Sequence, residues 1–193
     1  MLTDKDYQRA ADSLGVSVAH IKAFAEVESS GDGFLPTGEV KILFERHIFY
    51  RQLTTNRGKA FANTVSKTDP DICNTSPGGY GKLSAQHPKL QRAVAIDRKS
   101  ALESCSWGAF QVMGFHWKLL GYDSVQDFVN SAYSDQGQLE LVIRFLKVNP
   151  NIVAALKRND WETVARLYNG AGFAANSYHT KMREAFVKFG GKL

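Results

Sequence analysis

Apolar residues recur every three to four positions along most of the chain, the spacing of amphipathic helices. Thr3 is placed to cap a first helix through about Leu14, which Gly15 stops, and Ser17 to cap a second running to about Ser29. The run Val40 to Phe44, framed by Gly31, Gly33, Pro36 and Gly38, is the one good strand signal and predicts a small hairpin. From Arg57 to Gly81 the chain turns polar and is punctuated by Pro and Gly, which predicts a long loop or flap. Helical spacing resumes from about Pro88 to Glu103 and returns at Leu139, Val142, Ile143 and Leu146. It returns again in NDWETVARLYN, where Asn159 and Glu162 are spaced as a capping box. The expected fold is mainly α (α+β): a helical bundle with a small β-hairpin, one domain over residues 1–193 with a flap or small lobe around 53–104.

Composition narrows the class. With 193 residues, 44% hydrophobic and 22% charged, the chain can bury a real core, and no apolar run approaches the roughly 18 residues of a membrane span. The opening MLTDKDYQRAADSLG has acidic and basic residues where a signal peptide would carry a basic stub and an apolar stretch, so no export address is expected. A formal charge of +5 favours polyanionic surroundings such as nucleic acid, acidic glycans or envelope lipids. The Lys and Arg residues are scattered, with no recognition helix or zinc knuckle, which argues against specific nucleic-acid reading. Cys73 and Cys105 lie far apart without CxxC or Cys/His spacing and read as ordinary thiols. His47, His87, His116 and His179 are likewise isolated, so no metal site is expected.

Two glutamates close the second helix, where a carboxylate faces the negative end of the helix dipole. At about 100° per residue, Ile21, Phe24, Ala25 and Glu28 share one stripe, while Glu26 stacks over Lys22 on the other side. Glu26 therefore reads as half of a solvated i,i+4 ion pair. Glu28 sits in the apolar stripe, and burial and the dipole both push its pKa upward. A glutamate that stays protonated near neutral pH can act as a general acid; the alternative is a carboxylate that caps the glycine-rich loop after the helix.

Three stretches bear on that choice: VESSGDGF, then SWGAFQVMG (Ser106 to Gly114), then ARLYNGAG (Ala165 to Gly172). In this order they resemble the lysozyme superfamily, especially goose-type lysozymes and soluble lytic transglycosylases. The stretch VESSGDGFLPTGEVKILFERHIFYR is similar to the muramidase domain of bacteriophage endolysins, and the likeness runs from about Ile21 to Lys181. The resemblance implies that Glu28 is the catalytic acid and that Gln111, Tyr168 and Asn169 line the glycan groove. It implies a lysozyme-like fold, cleavage of the β-1,4 bond between N-acetylmuramic acid and N-acetylglucosamine in peptidoglycan glycan strands, and no cofactor. It also implies action from the host bacterial cytoplasm with a holin-type membrane partner; a monomer is expected.

One position departs from the family pattern. Nine residues after Glu28, where an aspartate often stands, this chain has Thr37 in PTGE. Threonine can orient water by hydrogen bonding but supplies no charge. Glu39 or Glu45 can fill the gap, or no second carboxylate is used; Glu45 also has a structural reading as an ion pair with Arg46 or Arg51. Among the aromatics, Trp107 and Tyr168 are expected to be partly exposed in the groove. The alternatives that stay open are a lytic transglycosylase and a non-enzymatic basic module binding glycan or nucleic acid. In the C-terminal stretch, Tyr178, Met182, Ala185, Phe186 and Phe189 share one face while Lys181, Arg183, Lys188 and Lys192 spread over the rest. That helix either packs on the domain or lies against anionic envelope lipids.

Overall fold

The computed structural model describes residues 1–29 and 31–193. Two short helices open the chain, α1 (Asp4–Leu14) and α2 (Val18–Glu28). Thr3 caps α1 in a capping box with Asp6, and Gly15 ends it in the left-handed conformation at φ 64°. The backbone N–H and hydroxyl of Ser17 meet Nδ1 of His20 at the start of α2.

A loop carries the chain into β1 (Ile42–Phe44), followed by α3 (Arg46–Arg57) and α4 (Lys59–Thr68). The expected loop from 57 to 81 is thus corrected: its first part is helical. Only Ala62 and Val65 of α4 are buried, so its apolar signal is weak, and packing on α3 supplies what the pattern lacks. The single helix expected over Pro88 to Glu103 is two, α5 (Gln86–Ile96) and α6 (Arg98–Glu103). Asp97 breaks them apart in an extended conformation and caps α6 by accepting from the Ser100 N–H.

The sheet is larger than the one strand signal suggested. β2 (Cys105–Trp107) pairs antiparallel with β1 through Ile42↔Trp107 and Phe44↔Cys105, and with β3 (Val112–Met113) through Trp107↔Val112. The hairpin is therefore β2–β3, while the glycine-rich loop before β1 closes with a lone bridge, Phe34↔Val40. Gln111 holds the hairpin turn at φ 50°, unusual for a residue with a side chain.

The remaining chain is α7 (Val125–Ser131), α8 (Asp135–Lys147), α9 (Pro150–Lys157), α10 (Trp161–Asn169) and α11 (Tyr178–Lys188). α8 buries Leu139, Leu141, Val142, Ile143 and Leu146, which cover more than half of its circumference, so it presents a broad face to the core. α10 is capped by Asp160, whose carboxylate accepts from the Thr163 N–H; the expected Asn159 cap instead lies one residue outside the helix, bonded to His20. α11 packs along α2 and buries Met182, Ala185 and Phe186, the last against His20 and Trp161 at ring separations of 4.4 and 5.1 Å. The apolar face that could have met lipid is thus part of the core. Cys73 and Cys105 are buried and unpaired, and burial raises both thiol pKa values, that of Cys73 to about 11. Among the described residues no helix is long and apolar enough to cross a membrane.

Gly114 fixes how closely the hairpin approaches α6, since a Cβ there would lie 2.2 Å from the Leu102 carbonyl oxygen. Gly114→Ala is expected to cost about 1–3 kcal/mol by forcing these backbones apart. Urea denaturation reads this directly, and an unchanged midpoint would show that the contact relaxes freely.

Candidate active site

Glu28 is the last residue of α2, half-buried, at the end where the helix carbonyls point. Its Oε1 accepts a 2.7 Å hydrogen bond from Nδ2 of Asn169, the last residue of α10. Its Oε2 accepts none among the described residues and is not enclosed by them. Burial raises the carboxyl pKa from 4.5 to about 7, and the Asn169 bond, which favours the ionised form, only partly opposes this. Glu26 faces away and is exposed. Its partner is Lys188 of α11 at 2.7 Å rather than Lys22, which pairs with Asp4 at 2.8 Å.

Tyr168 forms the adjoining wall. Its half-buried ring meets Phe24 edge-on at 4.9 Å and Phe145 at 5.8 Å, and its hydroxyl donates to the Phe110 carbonyl oxygen at 3.3 Å. Burial first, and the nearby Glu28 charge second, push the phenol pKa upward, so the hydroxyl stays protonated. Asn169 and Tyr168 are thus brought to Glu28 by the end of α10, and Phe110 by the hairpin turn.

Gln111 and Trp107 serve the hairpin itself. The Gln111 amide is spent on backbone and side chain around the sheet: Oε1 accepts from the Ser106 hydroxyl at 2.7 Å, and Nε2 donates to the carbonyl oxygens of Gly108 at 2.7 Å and Lys41 at 3.5 Å. Trp107, expected to be partly exposed, is 2% exposed, and its indole N–H donates to the Leu102 carbonyl oxygen at 3.1 Å. Side chains alternate along a strand, so with Ser106 turned toward Gln111, Trp107 must turn into the core.

Thr37 and Glu39 are exposed on the turn before β1, closed by a 2.8 Å bond from the Leu35 N–H to the Glu39 carbonyl oxygen. The Thr37 hydroxyl donates to Glu39 Oε2 at 2.9 Å. Among the described residues Glu45 pairs with no arginine: its Oε2 accepts from the Tyr80 hydroxyl at 3.3 Å and lies 3.3 Å from His47 Nδ1, while Arg46 donates to the carbonyl oxygens of Ser76 and Pro77. An open groove of about 910 Å³ runs beside the Glu28 site on the neighbouring face of α2, with Ala25, Ser29, Phe34 and Phe110 among its lining residues. Among the described residues no cluster of His, Cys, Asp or Glu is arranged to hold a metal ion.

A carboxyl group at a helix end with its pKa raised to about 7, one oxygen anchored and the other unbonded among the described residues, is the arrangement a glycosidic proton donor needs. Residues 17–190 match the model of the N-acetylmuramidase family. The chain belongs to that family. It is accordingly a glycoside hydrolase of the lysozyme type. The muramidase is similar to a solved structure described as the crystal structure of Burkholderia AP3 phage endolysin, at 44% identity and a TM-score of 0.93, over 98% of this chain and 71% of that one. No curated protein matches it.

The muramidase should show the energetic signature of a carboxyl buried at Glu28. Below pH 4.5 Glu28 is protonated in both folded and unfolded states; between 4.5 and about 7 the unfolded state ionises first, and folding loses up to about 3 kcal/mol. Glu28→Gln has no such titration. Relative to wild type, its stability in urea is expected to rise between pH 4.5 and 8; a pH-independent difference would mean that Glu28 titrates as an ordinary surface glutamate.

Proposed function

We propose that this muramidase works as an endolysin, cutting the β-1,4 bond between N-acetylmuramic acid and N-acetylglucosamine in peptidoglycan with Glu28 as the proton donor. The observation that carries the assignment is the Glu28 carboxyl itself, raised to about 7 by burial and fixed by Asn169, with its second oxygen unbonded among the described residues. Protonated, that oxygen donates to the bridging oxygen of the scissile bond as it leaves. Positive charge then develops on the muramic acid ring, and the newly ionised Glu28 lies beside it.

Tyr168 and Asn169 stand beside the acid and we assign them to the sugar bound there, although neither lines the open groove on the neighbouring face of α2; Gln111 and Trp107 act through the shape of the hairpin. Position 37, nine residues after Glu28, is threonine rather than aspartate, so we assign the attacking water to Thr37, whose hydroxyl is oriented by Glu39. Glu45 is occupied by Tyr80 and His47, which favours a structural part over a catalytic one. The same reading covers delivery: residues 1–193 act as one monomeric catalytic unit that accumulates in the host cytoplasm and reaches the wall with a holin-type membrane partner. Lys181, Arg183 and Lys192 are exposed and available to anionic envelope lipids, whereas the apolar face of α11 is not.

Glu28→Gln keeps the shape of the side chain and removes the proton, and should lower the rate on purified peptidoglycan by about 10²–10⁴-fold. Mass spectrometry of the released fragments is expected to show hydrated reducing ends; anhydro ends from a folded enzyme would replace water with the sugar's own hydroxyl as the nucleophile. Because the acid must be protonated, kcat/KM should fall as pH rises through about 7. Asn169→Ala removes the bond that favours the ionised form and should move that fall to higher pH, and a downward movement would contradict the assigned geometry.

A further inference from the structure

Gln138 lies in the first half of α8, among the residues that make the core, yet its side chain ends in an amide and is 2% exposed. Its Oε1 accepts from the Ala109 N–H at 2.8 Å, and its Nε2 donates to the carbonyl oxygens of Ala132 at 2.9 Å and Gly33 at 3.3 Å. A buried amide with both ends satisfied is costly to replace, because each abandoned partner is left without water.

The two loops are also cut to admit it. A Cβ on Gly33 would lie 1.8 Å from Gln138 Oε1, and a Cβ on Gly108 would lie 2.6 Å from Gln138 Cδ. Gly33 belongs to the strap that leaves Glu28, and its carbonyl oxygen also accepts from the Lys41 N–H at 2.9 Å. Ala109 precedes Phe110, whose carbonyl oxygen receives the Tyr168 hydroxyl beside Glu28. One side chain therefore pins both the strap after the acid and the turn that holds the aromatic wall.

We infer that Gln138 is a positioning residue of the muramidase reaction, setting the distance between the strap after Glu28 and the hairpin turn that seats Tyr168. It touches no substrate, and its effect passes through those two backbone segments. This rests on the assignment of Glu28 as the acid. Core packing alone would be served by leucine or methionine; the amide, and the glycine at 33, which has no positive φ to explain it, are needed if the two loops must be held at one fixed spacing.

The test uses Gln138→Met, which removes all three bonds at nearly constant volume, and Gly33→Ala, which displaces the amide while deleting no polar atom. Gly33 has no positive φ, so alanine there probes the contact with Gln138 and not backbone strain. Leu156→Ala, at a fully buried core position on α9, supplies a destabilised control. On soluble glycan strands, at a temperature where circular dichroism shows each protein folded, both site variants are expected to lose about tenfold or more in kcat with a smaller change in KM. The control should keep its kcat whatever its melting temperature. The two changes should also be less than additive when combined, since both act on one contact.

Wild-type turnover in folded Gln138→Met overturns the proposal, and if that variant does not fold, wild-type turnover in Gly33→Ala does so. A kcat loss in Leu156→Ala of the same size would equally reduce Gln138 to a stability residue. Glu28→Gln is measured alongside: if it stays active the acid assignment fails and this inference with it, whereas an inactive Glu28→Gln beside fully active Gln138→Met and Gly33→Ala removes the positioning role alone.

Discussion

A carboxyl group gives up its proton near pH 4 unless its surroundings forbid it, and in a chain with 24 Lys and Arg residues the simplest way to lose a general acid is to let a cation approach. The structure around Glu28 is organised against that outcome. The helix ends there, so the backbone presents carbonyl oxygens rather than N–H groups. Its hydrogen-bond partner is a neutral amide, and Phe24, Tyr168 and Phe145 pack one against another next to it. The nearest lysines along α2 and α11 are held by other acids, Lys22 by Asp4 and Lys188 by Glu26. The exposed Glu26 thus has a use in the same design: it draws Lys188 to the outer face of the helix.

What could be read in the sequence was what depends on neighbours within one or two helical turns. The stripe of Ile21, Phe24, Ala25 and Glu28 is a local pattern, and it marked Glu28 and set it apart from Glu26. The caps at Thr3 and Ser17 are local in the same way. Strands of two or three residues are too short to show a period, so β2 and β3 were invisible, and Trp107 was assigned to the surface when its strand turns it inward. α4 exposes most of its side chains and was legible only as polar chain. Gln138 was out of reach for a different reason: its partners, at positions 33, 109 and 132, come from three separate segments. Gln138 beside Leu139 and Leu141, and distant glycines at 33 and 108, are the traces the contact leaves in the primary structure.

The walls of the site are built from elements that could not stand alone. A two-stranded ribbon of this length has no independent stability, and a non-glycine residue at positive φ adds strain at Gln111. Both are held because the rest of the molecule over-determines them, through the Ser106 and Gly108 bonds of Gln111 and the Trp107 anchor on Leu102. Rigid helices carry Glu28 and its amide partner, while short, irregular chain carries the walls around them. That division separates chemistry from shape, and lets the groove vary without moving the acid.

The two buried thiols extend the picture from structure to circumstance. Cys73 and Cys105 are sealed from water and their pKa values are raised, so neither offers the thiolate that disulfide exchange and most oxidants require. The fold consequently has no covalent crosslink to form and none to lose. A protein built this way reaches its final state in a reducing interior and keeps it on passing into an oxidising one. Its covalent structure is indifferent to which side of a membrane it is on.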